Sequence, residues 1–360
     1  MNEQTQLSSH IPSSNRKRWI AGAIIFIIAA IIGLYWVKWH PYYGKALNAV
    51  TTHSVGSSII SGGHSKTPEP SWSAAWQYSV AYFQSIWKAF VVGLILASLI
   101  QVLIPRDWFR RVLGKTTYGS TVIAGLSALP GMMCTCCTAP LVVGMRKQAS
   151  SVSAAAAFWF GNTALNPAVL VFMFFVLGWK FTVLRLIFGI IIVFGLSYLA
   201  GRIAKEQDQP LEIIQKTANN NNDDPKGRLP IRWLKNLGSI VLTTLPIYII
   251  SVFVLGAFRA WLFPIVGGDW GNGILAIIIF AIAGTLFVIP TAGEIPIVQA
   301  FMAMGLGTGP AAALAITLPV ISLPSMLMVR RALSWRTLIF LGISIMILGI
   351  ISGLIGMFFL

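Results

Sequence analysis

The sequence predicts an all-α polytopic membrane protein: two inverted-topology repeats with interrupted, hairpin-like helices, plus an extra N-terminal transmembrane helix. Three observations predict it. The 360 residues are 56% hydrophobic and only 10% charged, with a mean hydropathy of +0.78, which excludes a water-soluble domain. Apolar runs long enough to cross a bilayer alternate with short basic clusters. Matching residues recur at one offset, 156 positions: Pro140 with Pro296, Val142 with Val298, Ala155-Ala156-Ala157 with Ala311-Ala312-Ala313, and Trp179-Lys180 with Trp335-Arg336. The net charge of +16 reads as Lys and Arg setting topology, not as a nucleic-acid surface.

Residues 1–78 read as an N-terminal anchor helix and outer loop. Arg16-Lys17-Arg18 precede an uncharged run from Trp19 to Val37, which places the N-terminus in the cytoplasm. His40 to Ser73 reads as a Gly/Ser-rich loop, and the spacing of His40, His53 and His64 fits no metal motif. Residues 79–203 form the first repeat. Val80 to Leu103 spans, and a short segment with Arg106, Arg110, Arg111, Trp108 and Phe109 lies on the inner surface. Spans at Ser151–Gly178 and Thr182–Gly201 close the repeat. Residues 204–235 are a polar cytoplasmic linker, disordered around Asn219–Asp224. Residues 236–360 form the second repeat: a span from Asn236 to Ala257, an uncharged run from Trp270 to Gly293 ending at Glu294, then two closing spans.

The stretch from Thr116 to Met145 decides the topology. It is uncharged, about 30 residues long, and broken by Pro130-Gly131 and Pro140. One straight helix of that length would be about 45 Å, more than a core of about 30 Å needs. As a re-entrant hairpin, the reading preferred here, it keeps both flanks, Lys115 and Arg146-Lys147, on the inner side; two full crossings joined by a short turn give the same parity. Only Lys38, Lys45, Lys66, Lys88, Lys180, Arg185 and Arg259 are then outside, as the positive-inside bias requires. With that parity the second half enters from the opposite side. Inverted halves with broken helices are a recurring build of secondary transporters, with the site near the midplane.

Cys134, Cys136 and Cys137, all the cysteine in the chain, sit between those helix breakers. Thiolates are soft ligands, so the three are candidate ligands for a soft metal or metalloid; the plain alternative is small packing residues. Glu294 is the one acid inside an apolar segment. A lone carboxylate there is costly to charge unless paired, and such residues mark proton or substrate paths. Asn162 and Asn166 are four apart, so on a helix they share a face, and Pro167 frees the Thr163 carbonyl. They read either as a polar path lining or as interhelical glue. No phosphate loop or dinucleotide fingerprint is present, so no cofactor is called for. No histidine falls within the predicted spans, which removes a Cys-His nucleophile pair and argues against an enzyme.

The segment Gly131-Met132-Met133-Cys134-Thr135-Cys136-Cys137-Thr138-Ala139-Pro140, followed by Phe160-Gly161-Asn162-Thr163-Ala164-Leu165-Asn166-Pro167, resembles the ArsP-like predicted permease family, also described as YraQ-like permeases. The resemblance runs from about Val80 to the C-terminus. It implies a bacterial inner-membrane protein and efflux of a trivalent organoarsenical-like compound, with the cysteines and Asn166-Pro167 falling on family elements. The expected function is secondary-active efflux of a soft metal or metalloid compound bound by Cys134, Cys136 and Cys137 and coupled to protons through Glu294. The expected partners are that small substrate and the lipid bilayer. A membrane-embedded thiol redox or metal-handover protein using the same cysteines is the alternative.

Overall fold

The computed structural model describes residues 13–60, 71–204, 229–263 and 273–360. His64, Lys66, Asp269 and the centre of the expected 204–235 linker lie outside them. Among the described residues there is no strand, and seven helical stretches are long and apolar enough to cross a membrane.

Helix α1 (Ser13–Leu34) continues through a π-helical turn at Tyr35–Trp39 into α2 (His40–Thr52). The loop expected from His40 therefore begins only after Thr52. The wide turn directly precedes Pro41, whose ring and missing N–H do not fit an ordinary α-turn. Helix α3 (Trp72–Leu103) starts ahead of the expected Val80 because Ser71 caps it, accepting from the Ala74 N–H at 3.0 Å.

After the short α4 (Arg106–Val112), the Cys stretch folds as α5 (Tyr118–Ala128) and α6 (Thr135–Lys147). At 11 and 13 residues they rise only about 16 and 20 Å, short of a core of about 30 Å. Their outer ends meet. Arg106 donates to the Lys147 carbonyl at 3.0 and 3.3 Å, and the Ser151 N–H donates to Leu113 O at 2.6 Å. The two flanks of the segment thus lie together at one end of this helix pair.

Helices α7 (Val152–Ala164) and α8 (Pro167–Val176) form one interrupted span. Helix α7 ends at Ala164, and Asn166, kept out of helical geometry by the proline after it, caps α8 instead; its side chain accepts from Ala168 N and Val169 N at 3.1 and 3.3 Å. Helix α9 (Trp179–Ile190), a π-turn at Ile191–Leu196 and α10 (Ser197–Ile203) complete the first half.

The second half opens with α11 (Leu229–Ala257) and the short α12 (Arg259–Leu262). Helices α13 (Ile274–Leu286) and α14 (Glu294–Ala303) are again too short to cross. Phe263, before them, packs on Phe301, near their end, with ring centroids 5.6 Å apart. The broken span α15 (Thr308–Val320) and α16 (Leu323–Val329) follows, then α17 (Trp335–Phe359). The offset of 156 seen in the sequence holds for helix bounds. α7 and α15 begin at 152 and 308 and end at 164 and 320, and α9 and α17 begin at 179 and 335. The equivalent helices α3 and α11 run antiparallel. Ser98 donates to Trp233 O at 3.2 Å near one end, and Tyr82 meets Tyr248, hydroxyl to hydroxyl, at 2.7 Å further along.

Gly93 of α3 lets α6 approach: a Cβ there would lie 2.5 Å from the Cys137 carbonyl oxygen. Gly93→Ala should cost about 1–3 kcal/mol through that overlap. The check is the melting temperature of the purified protein, which should drop for Gly93→Ala and hold for Gly44→Ala, where a Cβ meets nothing within 4 Å.

Candidate functional site

Four pieces of broken backbone converge. A cavity of about 10 Å³ is lined by Cys134, Thr163, Val169, Ile289, Pro290, Thr291, Ala292, Glu294 and Pro319. It has room for roughly one water. The lining comes from the two re-entrant tips and the two interrupted spans. Each tip holds one residue in the left-handed region, Met132 at φ 48° and Ala292 at φ 68°. Such backbone costs on the order of 1 kcal/mol and persists where the surroundings fix it.

The first tip carries the thiols. Cys134 caps α6, its sulfur accepting from the Cys137 N–H at 3.4 Å, and the Cys134 and Cys137 sulfurs sit 2.7 Å apart. All three cysteines are free and buried. Cys136 turns away from that pair, with its sulfur 3.9 Å from Ser322 Oγ at the break of the second half. Among the described residues, no three His, Cys, Asp or Glu side chains are grouped to hold a metal ion. Of the three candidate ligands, Cys134 and Cys137 are thus drawn together and Cys136 faces Ser322, a division that the sequence left open. Adjacent residues on a helical turn point about 100° apart, so Cys136 and Cys137 diverge. The pair is spaced Cys-x-x-Cys, a pattern present in the sequence and hidden there by the middle cysteine.

Glu294 begins α14 and is 1% exposed. Its partner is Arg185 of α9, 2% exposed, with Nη1 2.9 Å from Glu294 Oε1. Arg185 was expected on the outer side; the structure places it in the interior. Its hydrogen bonds explain why. Pro167 and Pro319 have no N–H to give the carbonyls four residues back, Thr163 and Ala315, and the Ala168 N–H is taken by Asn166. Arg185 donates to all three carbonyls this leaves free: Thr163 at 2.8 Å, Ala315 at 3.0 Å and Ala164 at 3.3 Å. Neither Glu294 oxygen receives an aligned hydrogen bond among the described residues, so charge is what binds it to Arg185.

Asn162 and Asn166 are buried beside the cavity's residues but do not line it. Asn162 donates to Phe158 O at 3.0 Å, and Asn166 serves as the cap of α8. Thr163 and Val169 of the same interrupted span line the cavity. Lys38, also expected outside, is buried: its ammonium donates to Thr291 Oγ1 at 2.9 Å and to Tyr42 OH at 3.0 Å. A sequence reading that ended the first span at its first charge had no means of finding it.

Comparison with known proteins places the chain among membrane permeases by sequence. A family model described as a predicted permease matches residues 17–142 and 126–358. The chain is 46% identical over 345 residues to the UPF0718 protein YraQ of Escherichia coli (strain K12), covering 95% of this chain and 96% of that protein. It is 22% identical over 333 residues to the UPF0718 protein MJ0584 of Methanocaldococcus jannaschii, covering 74% of this chain and 91% of that one. No solved structure matches the chain.

The buried pair makes a stability prediction. Removing one partner of such a pair costs roughly 3–5 kcal/mol. Arg185→Met should therefore destabilise the purified protein strongly, and more than Glu294→Gln, because it also strands three carbonyls. Arg185→Lys should not rescue, since a single ammonium cannot reproduce the guanidinium fork. Thermal unfolding of the three variants checks the order.

Proposed function

The chain belongs to the predicted permease family, and on that premise we propose that it is a secondary-active efflux permease for a soft metalloid compound of the trivalent organoarsenical kind. It sits in the bacterial inner membrane as a multi-pass protein with its N-terminus inside. Its halves are inverted: the first re-entrant segment dips from the cytoplasm and the second from outside. The recurrence of helix bounds and the antiparallel α3 and α11 support that inversion.

Cys134 and Cys137 bind the substrate. For methylarsenite, two As–S bonds form as two As–OH bonds break, and the thiol protons leave with the hydroxyls as two waters. Release reverses this with two waters. A monoorganic arsenic(III) centre has two exchangeable positions, which suits a pair better than a triad. Cys136 supports the site through Ser322, and Asn162 and Asn166 hold the broken span that closes it.

Glu294 couples transport to protons. When it is charged it is held by Arg185, and Arg185 is held by carbonyls of both interrupted spans. A proton arriving from outside cancels that attraction and frees the second tip to move against the first. The observation that carries this reading is one cavity lined by both Cys134 and Glu294. The family's description favours a transporter over an enzyme.

One observation favours a second reading, a membrane-embedded thiol redox or metal-handover protein: the contact of Cys134 with Cys137 at Cys-x-x-Cys spacing. Thiol trapping separates the two, because redox cycling without solute flux belongs to that alternative alone.

The test is methylarsenite uptake into everted membrane vesicles under an imposed proton gradient. Cys134→Ser, Cys137→Ser and Glu294→Gln, at equal expression, should each lower the initial rate about tenfold or more, since each removes a directly used group. Undiminished transport by all three would end this reading.

A further inference from the structure

The N-terminal helix supplies a residue to the site. The π-helical turn Tyr35–Trp39 carries two side chains into the molecule. Trp39 Nε1 donates to Pro130 O at the first re-entrant tip, 3.0 Å, and Lys38 Nζ donates to Thr291 Oγ1 at the second, 2.9 Å. π-turns inside α-helices recur at functional positions because they re-aim side chains. Here one turn reaches both tips. Thr291 lines the cavity shared by Cys134 and Glu294, so Lys38 stands one hydrogen bond from that cavity's wall.

Charge is the unusual part. The buried charged residues among those described are Lys38, Arg185, Arg259 and Glu294: three cations and one acid. The two ion pairs among the described residues are Arg110 with Asp107 and Arg185 with Glu294. Lys38 has hydroxyls and the Tyr42 ring, centroid 5.0 Å away, for partners. Around the cavity, Arg185 and Glu294 offset each other, and Lys38 is a further cation bonded to the cavity wall at Thr291. A buried ammonium held by neutral groups is costly, and a second cation brought beside it meets repulsion that low dielectric strengthens.

We propose that Lys38 is a specificity-determining charge of this site, which admits a soft centre in a neutral or anionic molecule and turns away free soft metal cations. This rests on the reading of Cys134 and Cys137 as the binding pair and narrows its substrate class. Thiols alone do not discriminate between a metalloid compound and a cation such as Cd²⁺. The ammonium of Lys38 does.

The experiment uses the full-length protein in lipid nanodiscs and reads how fast a small maleimide alkylates the thiols, with methylarsenite or Cd²⁺ as protecting probe. Lys38→Gln removes the charge and keeps a donor for Thr291; Lys38→Met is the second neutral variant, and Lys38→Arg keeps the charge. Cd²⁺ should half-protect both neutral variants at concentrations about tenfold or more below wild type, as the loss of a nearby unit charge requires. Lys38→Arg should behave as wild type, and methylarsenite protection should be nearly the same in all. Equal Cd²⁺ half-protection in wild type and both neutral variants would overturn the proposal, as would Lys38→Arg behaving like Lys38→Gln. Failure of methylarsenite to protect any form would sink the binding-pair reading instead, and the Cd²⁺ comparison would still decide the role of Lys38.

Discussion

The guanidinium of Arg185 holds the centre of this molecule together. Each interrupted span carries a proline, Pro167 at the start of α8 and Pro319 inside α15, and each proline leaves a carbonyl without its helical donor in a setting where water does not replace it. Arg185 reaches both, takes the Ala164 carbonyl as well, and has its charge balanced by Glu294. One side chain thus ties α9 to α7, to α15 and to the tip before α14. A lysine has neither the planar fork nor the reach to serve three carbonyls and a carboxylate together.

The interruptions are what make a site possible. An unbroken span presents only side chains to its neighbours, because its backbone groups are bonded internally. Breaking four elements at one depth brings loop backbone, capping thiols and a carboxylate around a single small cavity. The local chemistry that ends each element is ordinary: Asn166 before Pro167, Ser322 paired with Ser325, Cys134 at the start of α6. The two left-handed residues, Met132 and Ala292, are where the re-entrant chains turn. The cavity holds about one water, so under the proposed function an organic compound enters only if the tips separate.

Much of this was legible in the residues. The offset of 156 appeared in scattered identities and reappeared in helix bounds, although of the helix-breaking prolines near the site only Pro140 and Pro296 share it. The freed Thr163 carbonyl followed from Pro167 alone, and Glu294 stood out as an acid in an apolar run. Other features were not legible. Arg185 and Lys38 looked like flanking charges because each lies near the end of an apolar run, and their burial depends on partners far away in sequence: Ala315 and Glu294 for one, Thr291 for the other. The N-terminal helix looked peripheral for the same reason. That Cys134 pairs with Cys137 while Cys136 turns toward Ser322 depended on where α6 begins, which the sequence left open between Pro130 and Pro140.

The claim on which all this rests is that the two re-entrant tips meet around a common space. It is tested most directly by cross-linking Cys134 to a cysteine placed at Thr291, in native membranes, with Cys136 and Cys137 replaced by serine and a short bifunctional thiol reagent added. The account predicts one intramolecular bridge between the two positions. Separate alkylation of both thiols with no bridge formed would contradict it.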